Sequence, residues 1–563
     1  MKAKNPRKLS FVRSDQNQTT LLPPSLDELI EAHHMVRFIN AIIDKMDVGF
    51  LLDDYKGGGR PAYHPRVLLK ILVYAYTQRI FTSRQIAKAV RENIHFMWLA
   101  GMSRPDFRTI NRFRSSRLKG KIEAVFGYVI EQLLAYGYIS LNDLFLDGSK
   151  FGANANKYKA VWKKNVDRYE KQLQEKIKEL LKKIDLENEL ENRLYGDKDL
   201  GELGDEVELS SGQIEQIVEE LNKRLKEDGD NKSLKRARDK LEKDYLPRQR
   251  RYEEQREQLK GRSNYSKTDP DATFMRKRAD QHGNVDLLPS YNVQVGSENR
   301  YVSGYLIGQN ANDGVLVKPF FDGYEQHYGR LPLRVIADAG YGSEENYEYF
   351  EEKGIGAYVK YPGYYKKDKQ DDPCNIEKMS YDAQSDRYKC TMGRYLEFER
   401  IEIKESSTGY KSIYRIYRSK SCQGCRLKDR CIGAGEVRRI WVNEKLNAYR
   451  AQVKERLSSD EGRELIRRRG TEIETIFGQI KQNFGIRRFL LRGLEKVGIE
   501  FGLIAVAYNL KRMYKELLRD GLIGQLIKPS MGLYFSLRKI VKVLIPNLCL
   551  RKFWLSQRLK IAG

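Results

Sequence analysis

The sequence predicts an α/β protein with several domains, and three observations support this prediction. The chain has 563 residues, a length that fits three or four domains of roughly 150 residues each. Apolar residues recur at spacings of three and four over about the first 130 residues, which is typical of helices. Short runs rich in β-branched and aromatic residues return after about residue 285, and they indicate strands that alternate with further helices.

The composition points to a polyanionic partner. The chain has 103 Lys and Arg residues against 77 Asp and Glu residues, which gives a formal net charge of +26. A basic chain of this length is typical of proteins that bind nucleic acid or an anionic membrane surface. The mean hydropathy is −0.65 and no apolar run approaches the ~20 residues of a membrane span, so membrane insertion is excluded. The basic first residues include no apolar segment, so we expect a cytoplasmic, nucleoid-associated protein without a secretory signal.

Residues 1–130 are predicted to form a helical DNA-binding domain. A helical segment precedes a second short helix that is rich in Arg, an arrangement that fits a helix-turn-helix. Arg108, Arg112 and Arg114 lie around the predicted recognition helix and are the candidate DNA-binding residues of this domain. The alternative is an ordinary helical bundle with a solvated basic face, and this segment alone does not separate the two interpretations.

Residues 161–284 are predicted to form a helical hairpin inserted into another domain. The segment is rich in Lys and Glu, and a disordered linker is the alternative. Its apolar periodicity argues against a linker. The residues that follow coiled-coil spacings are Leu173, Ile177, Leu180 and Ile184 in one stretch and Ile214, Ile217, Leu221 and Leu225 in another.

The rest of the chain predicts one α/β core, apart from a Cys-rich β segment at residues 363–440 and a basic C-terminal tail at residues 521–563. The pieces of the core are residues 131–160, 285–362 and 441–520. In order they give a strand, a hairpin, a helix, two strands and a helix. That order matches the RNase H-like core, a mixed five-stranded sheet with helices packed on both faces.

Three acidic residues of this core are candidates for one catalytic site. Asp147 and Asp338 each end an apolar strand, where open α/β sheets place their active crevice, and Glu474 lies in the last helix. Phosphoryl transfer by two metal ions needs a few carboxylates at one point, and Mg²⁺ prefers such oxygen ligands. The alternative for each aspartate alone is a structural turn, since a glycine follows within two residues.

The helix around Glu474 favours a site over a pair of turns. An apolar stripe at spacings of four, three and four predicts one buried face, formed by Ile473, Phe477, Ile480 and Phe484. Arg467, Glu474 and Lys481 are seven residues apart, so we expect them to align along one flank of that face. An acid between two cations suits metal and phosphate, whereas an amphipathic helix with boundary salt bridges is the alternative. Glu472 lies on the opposite edge of the stripe and is the weaker candidate.

These motifs resemble those of bacterial insertion-sequence transposases of the DDE superfamily. The stretch LFLDGSKFGANANKYKAVWKK carries Asp147 where the family has its first catalytic Asp, and VIADAGYGS carries Asp338 in the second position. The third motif is similar to the family's Tyr-Arg-Glu-Lys signature, because Glu474 and Lys481 keep its seven-residue interval. The segment HPRVLLKILVYAYTQRIFTSRQIA resembles the helical domain that precedes the catalytic core in this family.

The resemblance also implies ligands and roles. The family's Arg usually precedes the Glu by four residues, but Gly470 occupies that position, so Arg467 or Arg469 takes the Arg role. This Arg and Lys481 would position phosphates, while the three acids would hold two Mg²⁺ ions, for which Mn²⁺ can substitute. The implied partners are double-stranded DNA, as element ends and as target, and a second copy of the chain in a homodimer. The helical hairpin is the candidate dimer contact.

The resemblance implies a transposase that binds the terminal inverted repeats of its element. It would cleave DNA with two metal ions and transfer the 3′-OH ends to target DNA. Two alternatives stay open, namely a non-transposing nuclease or resolvase of RNase H-like fold and an inactive DNA-binding relative.

Four clustered cysteines predict a structural metal site. Cys390, Cys422, Cys425 and Cys431 include one Cys-x-x-Cys knuckle, and four thiolates suit tetrahedral Zn²⁺. The alternatives are an iron–sulfur cluster or free thiols, and Cys374 could replace Cys390 in the ligand set. Four thiolates leave no open position on the metal, so its role would be structural.

Overall fold

The computed structural model describes residues 25–55, 61–195, 208–227, 231–277, 286–364, 372–433 and 435–527, with the backbone alone at residues 185–195 and at residue 227. Within these ranges the chain forms two compact units. One unit comprises residues up to Phe113 together with residues from Tyr514 onward, and the other comprises the residues between them. The N-terminal unit therefore ends at Phe113, whereas the sequence predicted a domain that reaches to about residue 130.

The described part of the first unit is helical. Thr82 and Asp106 start two of its helices, because their side chains accept hydrogen bonds from the N–H groups of Gln85 and Thr109. The third helix is buried along nearly its whole length and forms the centre of this unit. The helices are α1 (Met35–Lys45), α2 (Gly49–Leu52), α3 (Pro65–Thr77), α4 (Ser83–Glu92), α5 (Ile94–Leu99) and α6 (Phe107–Arg112).

The start of the predicted C-terminal tail belongs to this first unit. A short helix, Ile523–Ile527, buries Ile523 and Leu526 and packs against α1. The ammonium of Lys45 donates to the Leu526 carbonyl at 3.4 Å. The boundary predicted at residue 521 is therefore too early, and residues 528–563 of the predicted tail lie outside the described residues.

The second unit is built around a mixed sheet. Its central strand β1 pairs antiparallel with β5 on one side and parallel with β7 on the other. The order is β6–β5–β1–β7–β8, with β4 also paired to β5. The first eight strands are β1 (Asp143–Gly152), β2 (Ala160–Trp162), β3 (Asn264–Ser266), β4 (Thr273–Arg276), β5 (Leu287–Glu298), β6 (Tyr301–Gly308), β7 (Arg334–Ala337) and β8 (Gly356–Val359).

Helices flank this sheet. The helix that the sequence assigned to the end of the N-terminal domain packs here instead, since the ring of Phe126 meets the ring of Tyr305 on β6 at 5.2 Å. No helix in the described ranges is both long and apolar enough to cross a membrane. The helices described in this unit are α7 (Ile122–Ala135), α8 (Lys163–Tyr195), α9 (Ser211–Glu227), α10 (Lys232–Lys240), α11 (Leu246–Leu259), α12 (Val317–Tyr328), α13 (Glu344–Glu352), α14 (Lys428–Ile432), α15 (Glu444–Ser458), α16 (Asp460–Arg469), α17 (Thr475–Gly478) and α18 (Leu494–Arg519), whose residues from Tyr514 onward belong to the first unit.

The described residues of the Lys- and Glu-rich segment form four helices, so the predicted two-helix hairpin is wrong. Helices α8 to α11 lie between the paired strands β2 and β3, and a π-helical turn, Leu241–Tyr245, joins α10 to α11. The segment buries an apolar core of its own, in which Leu181 is buried and the predicted Leu180 is only partly buried. The segment also ends earlier than predicted, because β4 already belongs to the mixed sheet.

The Cys-bearing segment forms a second, antiparallel sheet. Its strands follow one another in the order β9–β10–β11–β12–β13, as in a meander. Its buried core is small and consists of Met379, Leu396, Tyr417, Ile440 and Val442. The strands are β9 (Ser380–Asp382), β10 (Arg387–Lys389), β11 (Tyr395–Glu405), β12 (Lys411–Ser419) and β13 (Arg439–Val442).

Candidate active site

The register of the mixed sheet brings Asp147 and Asp338 to the same level. Phe145 on β1 lies opposite Ile336 on the parallel strand β7, so two residues further along each chain the two aspartates are neighbours. Asp338 directly follows β7, as predicted. Asp147 does not end its strand, because β1 continues to Gly152, where it still pairs with β5. Beyond the end of β7 one edge of β1 is therefore open at Asp147.

One guanidinium group links the two aspartates. Nη2 of Arg469 lies 3.3 Å from Oδ2 of Asp147 and 3.6 Å from Oδ2 of Asp338. The Asp147 side chain is 19% exposed and the Asp338 side chain 46% exposed, so the pair opens to solvent on the Asp338 side. The Nε atom of Arg469 is buried and has no hydrogen-bond partner among the described residues. A buried donor of this kind indicates a place for an acceptor from a ligand.

Burial controls the charge of Asp147. Desolvation raises the pKa of Asp147 to about 6, and the negative charges of Asp338 and Asp313 act in the same direction. The Arg469 cation and the Gly148 N–H, which donates to Asp147 Oδ1 at 2.9 Å, oppose this rise. Two carboxylates share one guanidinium and a third acts on Asp147 through its charge, so the site attracts further positive charge.

Asp313 is a site residue that the sequence analysis missed. Its Oδ1 accepts hydrogen bonds from Nδ2 of Asn292 at 2.6 Å and from Nε2 of Gln294 at 2.8 Å. The hydroxyl of Tyr341 donates to Gln294, which joins the turn after Asp338 to this network. A Cβ at Gly148 would lie 2.3 Å from Nε2 of Gln294 and 2.4 Å from Oδ1 of Asp313, so a side chain there would displace these two groups. The glycine that also suits a turn therefore leaves room for this network beside Asp147.

The helix that carries the third motif is interrupted by two π-helical turns. The first, Gly470–Glu474, separates α16 from α17, and the second, Gln479–Asn483, follows α17. A π turn has more residues per turn than an α-helix, so residues seven apart no longer share a flank. Arg467 is therefore not aligned with the site and instead pairs on the surface with Glu464 at 2.7 Å. The predicted alignment was wrong for Arg467, and Arg469 reaches the aspartates in its place.

Lys481 lies on the other side of Asp147 along β1. Its ammonium donates to Ser149 Oγ at 2.5 Å and to the Lys150 carbonyl at 3.2 Å. The same ammonium lies over the ring of Phe151, 4.7 Å from its centroid. Two cations from one helix thus flank Asp147, Arg469 at its carboxylate and Lys481 two to three residues further along the strand.

Glu474 does not complete a three-acid cluster in this structure. Its side chain is exposed, and the guanidinium of Arg469 lies against the two aspartates. Nowhere in the described part of the chain do three or more His, Cys, Asp or Glu side chains form a group that could hold a metal ion. Glu472 has a structural role, because it is buried and accepts a hydrogen bond from the N–H of Arg300.

The donor chemistry at Asp147 and Asp338 nevertheless fits a divalent cation. Two carboxylates already share a positive charge, and carboxylate oxygens are the ligands that Mg²⁺ prefers. A metal ion and the Arg469 guanidinium would compete for the same oxygens, so metal binding requires Arg469 to shift.

The cysteines meet in one cavity of the second sheet. It is lined by the four predicted thiols and by Cys374, the alternative ligand that the sequence suggested. Burial, together with the neighbouring Cys374 and Cys422, raises the pKa of the Cys431 thiol to about 11, so this thiol is uncharged without a metal. Thiolate donors suit zinc, but the thiols do not converge on one point in this structure.

The three arginines predicted to bind DNA differ in exposure. Arg108 and Arg112 are exposed on α6, and Arg108 lies over the ring of Phe107. Arg114 is only 3% exposed, and its charge acts on the buried carboxylate of Glu500. The prediction for Arg114 was therefore wrong, because this residue lies in a π turn that faces the core of the second unit.

Comparison with known protein families covers two parts of the chain. A family described as a transposase DDE domain matches residues 389–514, and a family described as a transposase domain (DUF772) matches residues 24–116. Both matches support the resemblance to an insertion-sequence DDE transposase. The first match includes Glu474 and Lys481, whereas Asp147 and Asp338 lie outside both matches. No curated protein and no solved structure matches the chain.

Proposed function

We propose that this protein is a metal-dependent DNA transposase that acts on the terminal inverted repeats of its own element. The observation that carries the proposal is the pair Asp147 and Asp338, level with each other on adjacent parallel strands and joined by one guanidinium. The strand order β6–β5–β1–β7–β8, with only β1, β7 and β8 parallel, supports an RNase H-like core around this pair. Two transposase family matches support the same activity.

Two reactions follow at this site. In the first, water attacks a phosphodiester and the P–O3′ bond breaks, which releases a 3′-OH. In the second, this 3′-OH attacks target DNA in line and displaces a 3′-oxygen there, so that one P–O bond forms as another breaks. Asp147, Asp338 and Glu474 would hold two Mg²⁺ ions, or Mn²⁺ in their place, which would supply Lewis acidity to the oxygens of the reacting phosphate.

The chain's own cations position the phosphate. Arg469 shares its charge between the two aspartates, and its unsatisfied buried Nε is available to a phosphate oxygen once the guanidinium shifts. Lys481 is placed to contact the next phosphate, because it lies beside Ser149 and Lys150 on the same strand as Asp147. Each contact would stabilise the negative charge that grows on the phosphate during transfer.

The first unit is the proposed reader of the element ends. Its exposed arginines, Arg108 and Arg112, lie on α6, which packs against α4 as in a helix pair that presents one helix to DNA. Two element ends must be processed together, so we propose a homodimer on double-stranded DNA. The four-helix segment α8 to α11 is the candidate contact between copies.

A strand-transfer assay tests the proposal. The full chain is incubated with Mg²⁺, a linear DNA that carries both inverted repeats from either side of the gene, and a circular target plasmid. Linear DNA joined to the plasmid through its 3′ ends supports transposition. Cleavage without joining would identify a nuclease or resolvase, and binding without cleavage would identify an inactive relative. The experiment therefore separates the three activities.

A further inference from the structure

A group of exposed cations lies beyond the active site, where the end of β1 meets the loop before α18. Lys157 and Lys159 follow β1, and Arg487, Arg488 and Arg492 precede α18, and all five are exposed. Among the described residues, none of the five forms an ion pair with a carboxylate. We call these five residues the cationic platform.

Many cations elsewhere on the second unit do have acidic partners. In the second sheet, Arg439 contacts Glu399 at 3.0 Å, and Lys420 contacts Glu397 at 2.8 Å. Such pairs compensate the positive charge of their surface. The cationic platform lacks this compensation, so it is a surface on which a polyanion would replace counterions.

The platform is held rigidly to the strand that carries Asp147. The N–H of Gly152 donates to the Arg487 carbonyl at 3.0 Å, and the N–H of Phe489 donates to the Gly152 carbonyl at 2.9 Å. The guanidinium of Arg488 donates to the Ala153 carbonyl at 3.0 Å. These bonds fix the loop before α18 against the end of β1, and the cations are therefore preorganised.

Buried acids anchor the same loop from below. Glu500 is buried and accepts the N–H groups of Leu490 and Leu491. Asp269 is also buried and accepts the N–H of Gly493 at 3.0 Å. Both carboxylates accept hydrogen bonds from backbone N–H groups on the inner side of the loop and do not pair with the arginines. The arginine side chains on the exposed side can therefore contact an external anion.

The position of the platform suits the DNA on which the active site acts. Gly152 lies five residues beyond Asp147 on β1, a distance of roughly 17 Å at about 3.4 Å per residue. Lys481 lies between the two, beside Ser149 and Lys150, so positive charge continues from the catalytic candidates to the platform. An evenly charged polyanion such as duplex DNA matches a charged path of this length.

We infer that the cationic platform binds the phosphate backbone of double-stranded DNA beside the cleaved phosphodiester. This inference rests on the proposed function for the identity of the DNA. The contacts are with phosphates, so they position the duplex without reading its sequence. The platform would thereby hold the reacting strand in place over Asp147.

The test compares two triple variants of the full chain. Lys157→Gln, Lys159→Gln and Arg487→Gln are combined in one variant, which leaves Arg488 and Arg492 to fasten the loop. The control combines Lys389→Gln, Lys411→Gln and Lys454→Gln, three exposed lysines on β10, β12 and α15. Binding to a 40-base-pair duplex is measured by fluorescence anisotropy without metal, over a range of salt concentrations.

Loss of three phosphate contacts should lower the slope of log affinity against log salt by roughly 2.7, at about 0.9 per contact. The affinity of the platform variant should fall at least tenfold at the lowest salt, while the control binds as wild type. In the nicking reaction the platform variant should raise KM and leave kcat unchanged, because its contacts are the same in ground and transition states.

An unchanged slope in a folded platform variant would overturn the inference. An equal fall in the control would also overturn it, because the loss would then reflect net charge alone. Binding is measured without metal and without cleavage, so the result stands even if strand transfer fails. Normal strand transfer together with an unchanged slope would refute the platform and leave the proposed function intact.

Discussion

The two sheets of the second unit are stabilised in different ways. The central strands of the mixed sheet are covered on both faces, and large side chains such as Phe145, Phe151 and Tyr291 are fully buried. The apolar cluster at the centre of the Cys-bearing sheet has five buried members among the described residues. One of its hairpins leaves three isoleucines more than half exposed, namely Ile401, Ile403 and Ile413.

Polar contacts compensate for this small core. Glu344 on α13 accepts hydrogen bonds from Ser412 and Asn443, and Glu348 on the same helix accepts one from Tyr410. The comparison indicates that the large core of the mixed sheet tolerates a poorly solvated acid, Asp147, at an open edge. A sheet with a small core depends on each of its cross-links, so single changes should act on activity in the first sheet and on stability in the second.

Replacing the paired acids should have the largest effect. Asp147→Asn and Asp338→Asn should each reduce Mg²⁺-dependent nicking by on the order of 10³-fold or more, because each removes a carboxylate from the reacting centre. Glu474→Gln should give a similar loss if it supplies the third carboxylate. Nicking of a labelled duplex is the measurement, and Asp460→Asn, a fully exposed residue on α16, is the control. A wild-type rate in any of the first three variants would remove that residue from the site.

The first of these variants should also be more stable than wild type. The folded pKa of Asp147 is about 6, above the ordinary value of 3.8. The folded state therefore favours the protonated, uncharged form of Asp147. The stability of the folded state that comes from this preference is fully present below pH 3.8 and is lost as pH rises through 6. At pH 8 the free energy of unfolding of Asp147→Asn should exceed that of wild type by up to about 3 kcal/mol. This difference should be smaller at pH 5. Thermal unfolding without metal at both pH values measures it, and a destabilised variant would contradict the argument.

In the Cys-bearing sheet, a metal site would produce a large effect on stability. The cysteine spacing predicts about one equivalent of zinc in protein purified without added metal, and binding would have to draw the thiols of the shared cavity together. Cys422→Ser and Cys431→Ser should lose the zinc and make residues 372–442 sensitive to protease, while nicking persists in the intact fraction. The control is Cys549→Ser, which changes the sixth cysteine of the sequence, far along the chain from the cluster and outside the described residues.

Elemental analysis decides this prediction. Less than about a tenth of an equivalent of zinc or iron in folded protein would mean that the cysteines are ordinary thiols. If zinc is present, the same measurement on Cys374→Ser and Cys390→Ser identifies which thiol completes the set, since five thiols line the cavity and zinc takes four.

The sequence predicted the aspartates because strands and their ends leave a clear pattern. A buried apolar run ending at Asp338 marks a strand, and parallel neighbours bring such residues to one edge of a sheet. Asp313 gave no such signal, because it follows a strand on the far side of the hairpin and reaches the site only through Asn292 and Gln294. Its one indication was the turn sequence Asn-Asp-Gly at residues 312–314.

The third motif was harder to predict because helical spacing assumes an unbroken α-helix. A π turn changes the angular position of every residue beyond it, and no apolar periodicity reports this change. Gly470 and Gly478, at or next to the starts of the two π turns, were the available indications. Similarly, Leu180 and Leu181 are adjacent leucines, and only the packing of four helices places the second in the core.

Arg469 and Arg467 provide a matched pair that tests the π turn. Arg469→Gln should lower the nicking rate by roughly 10-fold to 100-fold, because it removes a charge that contacts both aspartates. It should also lower the Mg²⁺ concentration needed for half-maximal activity, because the competing guanidinium is gone. Arg467→Gln should change neither quantity, since Arg467 is 79% exposed and pairs with Glu464. A larger effect of Arg467→Gln than of Arg469→Gln would contradict the π turn and support an unbroken α-helix.

The smallest expected effect is a pH dependence in the helices that cover the mixed sheet. His327 on α12 packs against α7 at Gly127, and burial lowers its pKa from 6.5 to about 4. The unfolded chain therefore binds a proton below pH 6.5 that the folded chain does not. The stability from this neutral histidine is present above pH 6.5 and is lost as pH falls toward 4, by about 1–3 kcal/mol.

The pH dependence of the free energy of unfolding, measured with urea, should thus differ between wild type and His327→Gln. Between pH 7.5 and pH 5 the free energy should decline less in the variant. His33→Gln, at an exposed position of the first unit, is the control and should follow wild type. Parallel curves for all three proteins would show that His327 is solvated in both states, and the tight packing of α12 on α7 would then be wrong.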